Sequence, residues 1–113
     1  MIKFSISMAL LILSVNAFAT KEANCNKKNL GPACQQICKA CVKQGFVVGG
    51  ASDGDGFWAQ CVRPIMTGTA EPEKAVKAGH TLPPAPEGGW GPIASQCQAS
   101  NPRWMEKGHS KQN

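Results

Sequence analysis

The sequence predicts a small all-α domain stapled by disulfides. Three observations carry that reading. The chain has 113 residues and six cysteines. Three of these, Cys34, Cys38 and Cys41, fall at i, i+4 and i+7, the spacing that puts side chains on one helix face. Once the leader described next is set aside, only 17 residues are large and apolar (Val, Ile, Leu, Met, Phe, Trp), a core too thin to hold a domain of this size by burial alone.

Residues 1–19 read as a secretory signal peptide. Lys3 supplies the positive start, Phe4 to Val15 the apolar run, and Ala17-Phe18-Ala19 a small-x-small cleavage site. Cleavage after Ala19 leaves 94 residues, with eleven Lys and Arg against seven Asp and Glu, a net charge of +4. Export places the cysteines where disulfides persist. Cys25 lies six residues past the cut without a small-residue lipidation box, so the product is expected to be no lipoprotein. It is expected in a periplasm or outside the cell, soluble, with no further apolar stretch long enough to span a membrane. The basic residues are scattered and read as solvated surface.

The domain plan is a signal peptide over 1–19, a flexible segment over 20–30, one disulfide-bonded helical domain over 31–105 and a frayed tail over 106–113. A first helix is expected near 32–44, with Pro32 in its first turn and Gly45 beyond its end. Its cysteine stripe is flanked by Ile37 and Val42. Phe46-Val47-Val48 is a short extended run, and Gly49-Gly50 with Asp53-Gly54-Asp55-Gly56 makes a tight loop. Asp55 is the expected N-cap of a second helix near 56–66, which buries Phe57, Trp58, Cys61, Val62, Ile65 and Met66. Pro64 inside it predicts a kink or an early end.

Residues 68–91 are rich in Pro and Gly, with room for one helical turn over Glu73–Ala78 and an extended Pro83-Pro84-Ala85-Pro86. A third helix is expected near 92–99, turning Ile93 and Cys97 inward. Trp104-Met105 is placed to fold back on the core.

The cysteine spacings were tested against known chemistries. Cys34-x-x-x-Cys38-x-x-Cys41 matches the radical-SAM cluster spacing, but a 94-residue exported chain lacks the barrel and the reducing compartment. Cys38-x-x-Cys41 is a C-x-x-C late in a helix, where the dipole does not activate the first thiol, so structural use is favoured. No His follows Cys41, which rules out c-type haem attachment. Asp53 and Asp55 do not continue into a calcium-loop pattern. His80 and His109 lie on irregular chain, and Glu71, Glu73 and Glu87 sit in the proline-rich connection, so no catalytic set emerges. The expectation is no enzyme, no cofactor and no metal.

From Cys34 to Pro102 the chain resembles a group of small exported bacterial cysteine-rich proteins that have no assigned activity. The resemblance rests on Cys41-x-x-x-Gly45-Phe46-Val47, on Gly56-Phe57-Trp58-x-x-Cys61-Val62-x-Pro64-Ile65-Met66-x-Gly68, and on Leu82-Pro83 with Cys97 before Asn101-Pro102. It implies export and a cysteine-bonded helical fold, and nothing about substrate. Its core cysteines match Cys34, Cys41, Cys61 and Cys97. Cys25 and Cys38 stand as additions, which points to their pairing with each other.

Six cysteines allow 15 pairings, and sequence alone does not choose among them. Geometry narrows the choice. An antiparallel packing of helices one and two puts Cys41 and Cys61 at matching heights, favouring Cys41–Cys61. A third helix crossing the open end beyond Pro64 favours Cys34–Cys97. Cys25 and Cys38 remain, and the chain from Cys25 to Gly31 is long enough to turn back along the first helix.

The leading functional expectation is a non-catalytic secreted or periplasmic binding protein, an inhibitor or a factor directed at a host or competitor. Its partner is a protein or cell surface, with no nucleic acid and no stable membrane insertion, and the protein is expected to be monomeric. Trp90 and Trp104, outside the expected helices, are the candidate partner contacts. Two alternatives stay open: a periplasmic thiol–disulfide or metal-handling protein using Cys38 and Cys41, and a weak cationic membrane-active protein.

Overall fold

The structure is a computed structural model and describes residues 20–106. The expected signal peptide, His109 and the tail beyond Glu106 lie outside these residues. Among the described residues the regular structure is helical. There is no strand, and extended chain appears only as two isolated bridges.

Helix α1 spans Pro32–Lys43. Pro32 stands in its first turn, where its missing N–H would have no intrahelical partner. Gly45, at φ +99°, takes the left-handed conformation that ends the helix. Ala33, Cys34, Ile37, Cys38 and Cys41 are buried, so the sulfur stripe faces inward as its spacing requires.

The chain then runs through Val47 and Val48, which act as a two-sided spine. On one side Val48 and Lys21 exchange backbone hydrogen bonds at 2.8 and 3.0 Å. On the other, the Val47 N–H donates to the Asp55 carbonyl and the Phe57 N–H donates to the Val47 carbonyl. These bonds close the loop that carries a 3₁₀ turn over Ala51–Asp53. Within residues 20–30 the Lys21 backbone is paired with Val48, and Cys25 and Leu30 are buried.

The expected helix near 56–66 divides into two kinds. Phe57–Val62 is π-helical, and the Arg63 N–H donates to the Trp58 carbonyl five residues back. α2 follows over Arg63–Thr67 and ends at Gly68, φ +68°. The break expected at Pro64 is thus a change of helix type. A proline ring crowds the carbonyl four residues before it in an α-helix, and a wider turn preceding Pro64 leaves it in the first turn of α2. Asp55 is not the N-cap. Gly56 holds that position without a side-chain cap, and the Gln60 side chain reaches back to the Gly56 N–H.

In the proline-rich connection a short α3 forms over Glu73–Lys77. Its exposed Glu73–Lys77 ion pair, 3.0 Å, adds little stability. The single buried side chain of this helix, Ala75, holds it to the body. α4 spans Gly91–Ser100, with Pro92 in its first turn and Ala94 and Cys97 buried. α1 packs on α4 and on the π-helical turn, and α2 packs on α4.

The core is sulfur-rich. Cys34, Cys41, Cys61 and Cys97 are fully buried together with Ile37, Phe46, Phe57 and Val62. Trp104 closes one end of this core at 5% exposure. Trp104 thus folds back on the core, as one sequence expectation had it, and is not an exposed partner contact, as the other had it: the chain turns back after Pro102 and packs the indole edge-to-face on Phe57 and Trp58.

Candidate functional site

Cys41 and Cys61 pair with Cα atoms 5.9 Å apart and tie α1 to the π-helical turn. Cys34 and Cys97 pair at 4.7 Å and tie α1 to α4. Cys25 and Cys38 pair at 5.5 Å and hold the N-terminal segment on α1. All six cysteines are paired. Cys38 and Cys41 therefore sit in separate cross-links, both buried, and do not face each other as a dithiol.

A concavity of the described surface lies between elements of this cross-linked frame. α2 and α4, both anchored to α1, leave between them an open groove of about 960 Å³. α4 lines it with small residues, Gly91, Ala94, Ser95 and Ala99, and with Gln98. The rest of the lining includes Ile65, Met66 and Thr67 of α2, Thr69, Leu82, Trp90 and Met105. Among the described residues no charged side chain lines the groove.

Trp90 thus holds a place at this site, though not as a free-standing anchor. Its indole is half-buried, and Nε1 donates to the Pro83 carbonyl at 3.1 Å. This bond ties the ring to the extended proline run, and Trp90 is among the residues that line the groove. Trp104, the other expected contact, is in the core and outside this lining.

The titratable groups give no comparable constellation. Among the described residues no group of three or more His, Cys, Asp and Glu side chains is placed to hold a metal ion. His80 packs its ring on Phe46 at 5.7 Å. Glu71 is the perturbed group: both carboxylate oxygens are shielded from solvent without a hydrogen-bond partner among the described residues, and burial pushes its pKa up to about 7. It does not line the groove. No helix of the described residues is long and apolar enough to cross a membrane.

Sequence reasoning missed two features here. Gln60 is a buried polar residue whose side chain organises the loop before the π-helical turn. The groove itself joins Met66 to Ala94 and Trp90, positions far apart in sequence that share no local pattern. Comparison of the chain with protein-family models, with curated proteins and with solved structures finds no match to any of them.

Proposed function

We propose that this is a non-catalytic exported binding protein, and that the α2–α4 groove receives an apolar-faced peptide segment of a partner protein. The groove carries the reading. Small residues on α4 let a partner backbone come close, while Met66, Met105, Leu82 and Trp90 offer pockets for its larger side chains. Methionine adapts to irregular shapes at little cost, and an anchored tryptophan gives area without much lost rotamer freedom. The uncharged lining favours a segment that buries no charge there.

Three cross-links fit an oxidising compartment and support the expected export. They also hold the groove in shape before binding, which lowers the ordering cost of association. The resemblance to small exported cysteine-rich bacterial proteins belongs to the same proposal.

Ser95→Arg and Gln98→Glu each place a charge on an exposed lining position without touching the core. The mature protein, tethered and exposed to the secreted and envelope proteins of its native source, is expected to retain a partner that both variants lose. Retention of the same proteins by wild type and both variants contradicts the groove as the binding surface.

A further inference from the structure

We propose that a second site, the crevice on either side of Trp58, binds an acidic oligosaccharide. The inference does not rest on the α2–α4 groove, which this crevice does not share.

The crevice has two lobes, of about 270 and 310 Å³, joined at Lys27, Trp58 and Trp104. Trp58 is the partly exposed ring between them. It is clamped edge-to-face by Phe57, centroids 4.9 Å apart, and by Trp104, 5.3 Å, so its face is held still. The partly exposed surface of such a ring is apolar and suits the C–H side of a pyranose ring. Around it stand three cations: Lys28 in one lobe, Lys21 in the other and Lys27 in both. Glu22 is the one opposing charge on the rim. The lysines are carried on residues 20–30, whose backbone is tied to the body by the Lys21–Val48 bridge and the Cys25–Cys38 bond.

The amides decide the class of anion. Asn29 and Asn101 line one lobe and Asn24 the other. Asn29 and Asn101 each offer donors and an acceptor, the complement of paired hydroxyls, while the Asn24 oxygen already accepts the Asn26 N–H and its amino group offers donors. A simple aryl anion has no hydroxyls to use them. A single-stranded nucleic acid would want several stacking rings in a row, and here one ring is partly exposed. Two lobes sharing a central lysine fit consecutive sugar units that carry carboxylate or sulfate groups.

The test is calorimetric titration of the mature protein with a galacturonic acid tetramer and a heparin tetrasaccharide. Cellotetraose, a naphthalene sulfonate and a short oligothymidylate complete the panel. Binding of at least one acidic saccharide is expected, with amide shifts at Asn29 and Asn101 and at the Trp58 indole in nuclear magnetic resonance. Lys27→Gln combined with Lys28→Gln, both exposed positions, is expected to weaken it about tenfold, since charge-assisted hydrogen bonds are lost. The groove variant Ser95→Arg is expected to leave it unchanged. The proposal is overturned by any of four results: no acidic saccharide binding at millimolar concentration, equal binding of cellotetraose, tighter binding of the aryl sulfonate or the oligothymidylate, or an unaltered affinity in the double lysine variant.

Discussion

Gln60 closes the turn that Gly56 opens. Its Oε1 accepts the Gly56 N–H at 2.6 Å, and its Nε2 donates to the Ala51 carbonyl at 3.0 Å. One buried amide therefore satisfies both ends of the loop that delivers the chain into the π-helical turn. Gln60→Ala leaves the Gly56 N–H buried without this acceptor, a cost of about 1–3 kcal/mol. Gln60→Glu keeps the acceptor and loses the donor, and is expected to fall between wild type and Gln60→Ala. Chemical denaturation of the three proteins checks the order.

This relationship marks a boundary of what the sequence discloses. The inward stripe of Cys34, Cys38 and Cys41 was legible because helical periodicity is a local property. So were the ends of α1, set by Pro32 and Gly45, whose backbone preferences do not depend on distant neighbours. Asp55 was misread because short-range capping rules assume an α-helical first turn. The turn after Gly56 is wider, and the amide four residues on takes the cap's role. The pairing of Lys21 was not legible because polar composition says nothing about main-chain pairing, and it is the backbone of Lys21 that meets Val48. Trp104 carried two expectations, a fold-back on the core and a partner contact, and the choice between them depends on a reversal after Pro102 onto Phe57, a contact across half the domain. The groove was invisible for the same reason.

The burial of Glu71 gives a pH dependence. Its folded pKa, about 7, is above its ordinary value of 4.5, so the folded state holds the proton more tightly. The stability this contributes is full below pH 4.5 and is lost as pH rises through about 7. Thermal unfolding is expected to show a falling melting temperature across that window. Glu71→Gln, which cannot ionise, is expected to flatten the fall and to be the more stable protein at pH 8. A parallel pH profile for wild type and Glu71→Gln would exclude this account of the carboxyl.

Gly54 is held by two constraints at once. Its φ is +84°, and a Cβ there would lie 2.7 Å from the Lys74 carbonyl oxygen of α3. Gly54→Ala combines left-handed backbone strain with a clash against main chain, at a cost of about 1–3 kcal/mol. Gly88, φ +88°, has open space around it, so Gly88→Ala carries the strain alone and is expected to cost less. Denaturation midpoints of the two variants compare the terms directly.

The three cross-links differ in the length of chain they close. Cys34–Cys97 spans 63 residues, Cys41–Cys61 spans 20 and Cys25–Cys38 spans 13. In the chain-entropy picture these correspond to about 4, 3 and 3 kcal/mol of stability. Paired Cys→Ser replacement of Cys34 and Cys97 is expected to be the most destabilising and to free α4, and with it the groove. Replacement of Cys25 and Cys38 is expected to loosen residues 20–30 while leaving the groove in place. Amide hydrogen exchange on the two variants separates local from global loss.

The frame that these bonds build is the basis for every surface described above, and a disulfide map of the native protein tests it most directly. Tryptic cleavage without reduction, followed by mass spectrometry with fragmentation, separates the pairs. Cutting after Lys39 and Lys43 isolates Ala40–Lys43, and Arg63–Pro64 resists trypsin. The expected product is that four-residue peptide joined to residues 44–74 through Cys41–Cys61. A second cluster is expected in which the peptide holding Cys34 and Cys38 is joined to both the Cys97 and Cys25 peptides, with fragments assigning Cys34 to Cys97 and Cys38 to Cys25. Ala40–Lys43 joined instead to the peptide of Cys25 or of Cys97 would contradict the helix packing, and the groove with it.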